Sequence, residues 1–61
     1  MVGMDGFVGV WVKLRLLDDR GVDLFFTCRV DDVSDTTIFF TDKYGKKYAF
    51  PVEWVKQLEE E

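Results

Sequence analysis

Two matching turn signatures, Asp18-Asp19-Arg20-Gly21 and Asp42-Lys43-Tyr44-Gly45, constrain this chain most, because each is set beside a run of alternating apolar residues. The form Asp-x-x-Gly suits a three-residue hairpin loop, a type I turn followed by a glycine in the left-handed region. Taking Gly21 and Gly45 as those glycines pairs Asp18 with Val22 and Asp42 with Lys46. Leu16 then faces Leu24, Leu14 faces Phe26 and Val12 faces Cys28, while in the second hairpin Phe40 faces Tyr48 and Ile38 faces Phe50. Every pair is apolar on both sides, and a slip of one residue would break that agreement in both hairpins.

A period of two runs through Val8, Val10, Val12, Leu14 and Leu16, and again through Val22, Leu24, Phe26, Cys28 and Val30, which predicts two strands with one buried face each. Thr36 to Thr41, Lys46 to Phe50 and Val55 to Leu58 complete five strands. The expected fold is all-β: one five-stranded antiparallel small barrel over residues 1–61, its core at 7–58, with 1–6 and a frayed 59–61 as extensions. Asp31 to Asp35 is expected to be the loop between strands two and three, with Val33 plugging the barrel end. Pro51 removes a ladder donor, so Pro51-Val52-Glu53-Trp54 is expected to interrupt the sheet as one 3₁₀ turn. The competing C-terminal helix would place three glutamates where the helix dipole favours cations.

Composition narrows the chemistry. Among 61 residues there is no histidine and one cysteine. No imidazole base, catalytic triad or usual zinc site is available, and no internal disulfide. No catalytic residue, metal or cofactor is expected. The start Met1-Val2-Gly3-Met4-Asp5 lacks a basic segment followed by an apolar one, and no apolar run approaches a membrane span, so a cytoplasmic protein without membrane contact is expected. Cys28, on the inward face, reads as a small buried hydrophobe. Asp31, Asp32 and Asp35 lack the glycine and terminal glutamate of a calcium loop and read as turn formers. Gly3, Gly6 and Gly9 are expected to let the N-terminal segment pack closely.

Phe50-Pro51-Val52-Glu53-Trp54-Val55-Lys56-Gln57-Leu58 resembles the closing motif of SH3 domains, Phe-Pro-x-x-Tyr-Val-x-x-Leu, with Trp54 at the tyrosine position. The resemblance implies an SH3-like barrel closed by a 3₁₀ turn, in which Pro51 and Trp54 are the counterparts of proline-peptide groove residues. From Val10 to Leu58 the order of elements is equally similar to the Sm-like fold of Sm and Hfq proteins. Tyr48-Ala49-Phe50-Pro51 falls where Hfq-type chains carry Tyr-Lys-His-Ala, agreeing at Tyr48. That likeness implies a ring built by pairing fourth and fifth strands between subunits, and binding of single-stranded RNA.

The register sets Arg15 opposite Phe25, Lys13 opposite Thr27 and Trp11 opposite Arg29 on the outward face, with Phe39 expected beside Thr27. Aromatic rings interleaved with cations suit stacking against single-stranded nucleic acid. The same rings better suit a second hydrophobic cluster, covered by the N-terminal residues or a neighbouring subunit, with Arg29 over Trp11 as a cation–π contact, because monomers seldom expose a large contiguous apolar patch. Lys43, Lys46 and Lys47 form the densest basic cluster; they read as phosphate contacts or as edge lysines that discourage aggregation. The expected function is a non-catalytic, self-associating interaction module acting through Trp11, Lys13, Arg15, Phe25, Arg29, Phe39 and Lys47, binding protein. The alternative is an Sm-like nucleic-acid binder. The net charge of −4 hardly argues against the latter, because omitting Asp5 and Glu59 to Glu61 leaves 8 acidic and 8 basic residues.

Overall fold

A computed structural model describes residues 4–61. Five strands, β1 (Trp11–Leu17), β2 (Asp23–Val33), β3 (Thr37–Asp42), β4 (Lys47–Pro51) and β5 (Val55–Glu60), form one antiparallel sheet in the order β4-β3-β2-β1-β5. Short 3₁₀ turns span Met4–Phe7 and Val52–Trp54, the second joining β4 to β5. Among the described residues no helix is long and apolar enough to cross a membrane.

Both Asp-x-x-Gly turns form as expected. Gly21 and Gly45 sit at φ +80° and +86°, and the Asp18 and Asp42 amides donate to the carbonyls of Val22 and Lys46. All five apolar cross-strand pairs are present: Val12 with Cys28, Leu14 with Phe26, Leu16 with Leu24, Ile38 with Phe50 and Phe40 with Tyr48. Their inward side chains build the core, in which Val12, Leu14, Leu16, Cys28, Val30, Ile38 and Phe40 are buried. Residues from both edge strands, Tyr48 and Phe50 of β4 and Val55 and Leu58 of β5, pack on this one cluster. The sheet therefore bends around a shared interior without its edges closing by hydrogen bonds. Phe26 anchors that interior, with ring centroids 5.0 Å from Phe40 and 4.8 Å from Tyr48, distances favourable to tilted aromatic packing.

Five expectations are corrected. The first strand begins at Trp11, not Val8: Gly9 at φ +83° breaks the extended run, and Val8 makes only a parallel bridge to Val30. Nothing lies near a side chain built at Gly6 or Gly9, so neither glycine serves close packing, and Gly3 lies outside the described residues. Asp31 to Val33 belong to β2, because the turn is set by Ser34, whose hydroxyl accepts the amides of Thr36 and Thr37. Val33, expected as a plug, instead pairs with Ile38 in the ladder. Finally, β5 runs on through Glu59 and Glu60, paired with Lys13 and Val12, where frayed residues were expected.

Pro51 closes β4 in a way its chemistry permits. Backbone bonds from Asp42 N–H to Lys46 and from Val52 N–H to Thr36 place residues 46 and 52 in hydrogen-bonded pairs. Antiparallel ladders alternate, so Lys47, Ala49 and Pro51 turn their backbone groups away from β3. Proline is thus where no ladder donor is needed.

Candidate functional site

The outward face is arranged in rows across the strands. Arg15 lies opposite Phe25, Lys13 opposite Thr27, and Trp11 opposite Arg29, as expected. The last row continues through Thr41 on β3 to Lys47 on β4. Phe25 is 72% exposed and Trp11 43%, large values for rings in the interior of a sheet. Of the described N-terminal residues, Met4 and Phe7 pack on the core cluster.

Phe39 does not join this face beside Thr27. β2 runs on to Val33, so Cys28 pairs with Asp42, and Phe39 lies further along the outer face, opposite Asp32 and Ala49, beyond a bulge between Val30 and Asp32. The expected contact of Arg29 with Trp11 is also replaced. Arg29 Nε donates to Asp31 Oδ1 at 3.2 Å, and the hydroxyl of Thr41 donates to Asp31 Oδ2. The Thr41 hydroxyl is the main cause holding the Asp31 carboxyl below its ordinary value, with Arg29 adding to it. Cation–π contacts occur elsewhere, with Lys43 Nζ 5.3 Å from the Tyr44 ring centre and Lys46 Nζ 5.3 Å from that of Tyr48.

Thr27 instead meets the second hairpin turn. Lys43 donates its backbone N–H to the Thr27 carbonyl at 3.2 Å, which brings Lys43 and the 83%-exposed Tyr44 alongside β2. A groove of about 630 Å³ results, with Lys13, Arg15, Phe25 and Thr27 on one side and Lys43 and Tyr44 on the other. Gln57 and Glu59 of β5 reach its rim. Of the expected site residues, then, the groove gathers Lys13, Arg15 and Phe25. Trp11, Arg29 and Lys47 form a separate row, and Phe39 lies beyond it. Lys43 was legible as part of a basic cluster, but Tyr44 carried no signal beyond its place in a turn.

The groove's charges are unevenly satisfied. Arg15 Nε faces Asp23 Oδ1 at 3.3 Å, an ion pair without hydrogen-bond alignment. Asp42 Oδ1 accepts the amides of Tyr44 and Lys46, and Glu59 Oε1 accepts the Gln57 amide at 2.7 Å. Among the described residues, neither Lys13 nor Lys43 has a carboxylate within ion-pair distance.

Other candidates resolve differently. Cys28 is fully buried, and burial first, then the charges of Asp31 and Asp42, push its thiol up to about 11. Trp54 packs tilted against Phe50, ring centroids 5.6 Å apart, and on the core, whereas Pro51 borders a separate hollow with Asp35, Thr36 and Glu53. The two closing-motif residues therefore do not share one groove. No protein-family model, curated protein or solved structure matches the chain.

Proposed function

We propose that this protein is a non-catalytic interaction module of the SH3-like or Sm-like small-barrel kind, working through the outer face of β1 and β2 and assembling with itself through its sheet edges. The observation that carries it is the exposure of Phe25 at 72%, on a strand whose inner face already supplies Leu24, Phe26 and Cys28 to the interior. A ring in that position contributes little to the core and offers its area to a partner. The absence of histidine and the burial of Cys28 support a binding role over catalysis. A cytoplasmic setting accords with the free cysteine.

Self-assembly is supported by two unpaired edges of opposite charge. β4 begins beside Lys46 and contains Lys47, while β5 ends in Glu59 and Glu60. Edge strands present unpaired backbone groups that readily pair with another chain. Light scattering over a range of concentrations tests this: a mass that is a multiple of 7.2 kDa is expected. Ala49→Pro, which removes an edge-facing N–H without touching the β3 ladder, should return the mass to that of the monomer. A wild-type mass of 7.2 kDa at every concentration sinks self-assembly.

A second reading, binding of single-stranded nucleic acid on the same face, is favoured by the two unpaired lysines beside exposed rings. Its affinity for an oligonucleotide should fall steeply with salt, and indifference to salt rules it out.

A further inference from the structure

We infer that the groove between β2 and the second hairpin turn is a site for a planar aromatic anion, its acidic group held over Thr27 by Lys13 and Lys43 and its ring against Phe25 and Tyr44. The inference rests on the outer face being a binding surface and names the chemistry that surface selects.

The geometry centres on Thr27. Lys13 is its cross-strand partner on one side, and Lys43 bonds to its carbonyl from the other. The two lysines thus flank one residue across two strand spacings, roughly 10 Å at the backbone. Both side chains line the groove, with the Lys43 ammonium 5.3 Å from the Tyr44 ring centre. Both ammonium groups lack a carboxylate, although acidic residues stand close by. Glu59 lies opposite Lys13 in the register yet spends its Oε1 on Gln57, and Asp42 spends its Oδ1 on the turn amides. Arg15 is likewise committed to Asp23. Amide donors leave Glu59 and Asp42 charged, so what the groove offers an anion is local: two ammonium groups, Lys13 and Lys43, that no carboxylate engages within ion-pair distance.

The rings supply the second half of the recognition. Phe25 is two residues along β2 from Thr27, and Tyr44 follows Lys43, so each aromatic sits next to the cationic floor. At 72% and 83% exposure both present ring surface to a ligand, Tyr44 on the face that Lys43 does not cover. The groove's volume of about 630 Å³ lies within the range of about 300–1,000 Å³ usual for small-molecule sites. An aliphatic acid would leave the rings uncovered, and a neutral arene would leave the lysines unpaired. A compound carrying both features satisfies both.

Naphthalene-2-sulfonate and its neutral isostere naphthalene-2-sulfonamide test the assignment by amide chemical-shift titration of the labelled full chain. Saturable shifts centred on Lys13, Thr27 and Lys43 are expected, with the sulfonamide weaker by about tenfold or more, as a charge-assisted contact requires. Lys13→Gln combined with Lys43→Gln should lower sulfonate affinity by a similar factor while leaving the spectrum that of a folded chain. Equal binding of both compounds, shifts centred near Pro51 and Glu53, or no binding overturns the inference. Adenosine monophosphate against a short oligoadenylate separates the source of such an anion: equal affinity per site supports a free molecule, and affinity rising with length supports a strand. The light-scattering result stands apart, so loss of the aromatic-anion site and loss of self-assembly are distinguishable.

Discussion

Asp18 and Asp42 hold two different turns by the same device: Oδ1 of each accepts the amides of the residues two and four positions on, all at 2.9 Å. At Asp18 the Val22 amide is the main cause that keeps the carboxyl below its ordinary value of 3.8, with Arg20 assisting and burial opposing. A depressed folded value stabilises the fold above the unfolded pKa, and that contribution is lost as pH falls through the folded value. Urea midpoints should therefore drop below about pH 3.8 in the wild type. Asp18→Asn, which keeps the acceptor without the charge, should show a shallower acid limb. Identical acid limbs would remove Asp18 from the account.

Gly45 and Gly6 make a contrasting pair. At φ +86°, Gly45→Ala should cost about 1–2 kcal/mol in chemical denaturation, the usual strain of an L-residue in the left-handed region. Gly6→Ala, with open space around it and no positive φ, should fall within about 0.5 kcal/mol of wild type.

Adjacent phenylalanines on opposite faces should behave as opposites. Phe26, ringed by Phe40, Tyr48 and Phe50, is expected to cost about 3–5 kcal/mol on replacement by alanine, enough to unfold a domain this small. Phe25→Ser should change stability by no more than about 0.5 kcal/mol. Far-ultraviolet circular dichroism distinguishes the two outcomes at once.

Cys28 gives a probe of opening. With its thiol pushed up to about 11 and the side chain fully buried, it should resist a thiol reagent at pH 8 until denaturant exposes it. The sign for stability is the reverse of that at Asp18. A folded value above the unfolded 9.0 means stability is intact below pH 9.0 and declines toward about 11. A native protein labelled as fast as its unfolded form contradicts this placement.

Register was legible wherever turn chemistry and alternation agreed. The two Asp-x-x-Gly turns fixed both hairpins because glycine at positive φ and apolar pairing pointed to one solution. Between β2 and β3 the same signals misled. Asp31, Asp32 and Asp35 carry more turn propensity than Ser34, yet Asp31 is satisfied across the sheet by Thr41 and Arg29, and Asp32 by the Val33 amide. Of these partners Thr41 exists only once β2 and β3 are paired. With β2 carried on to Val33, Cys28 pairs with Asp42 and the Lys43 amide reaches Thr27 where Phe39 was expected, so half of the groove depended on where the turn between β2 and β3 falls, which alternation does not register. The strand break at Gly9 was hidden because Val8 and Val10 keep the spacing of a strand they do not join.

The pairing of β1 with β5, in which Leu14 meets Leu58 and the Glu61 amide reaches the Trp11 carbonyl, has a kinetic meaning. The hairpins close short loops, but this ladder must draw together segments far apart in sequence, and its conformational cost falls due before its contacts form. Folding is therefore expected to be slowed most by the meeting of the first and last strands of the chain, and the two tight turns chiefly decide how much of it is already in order when that encounter takes place.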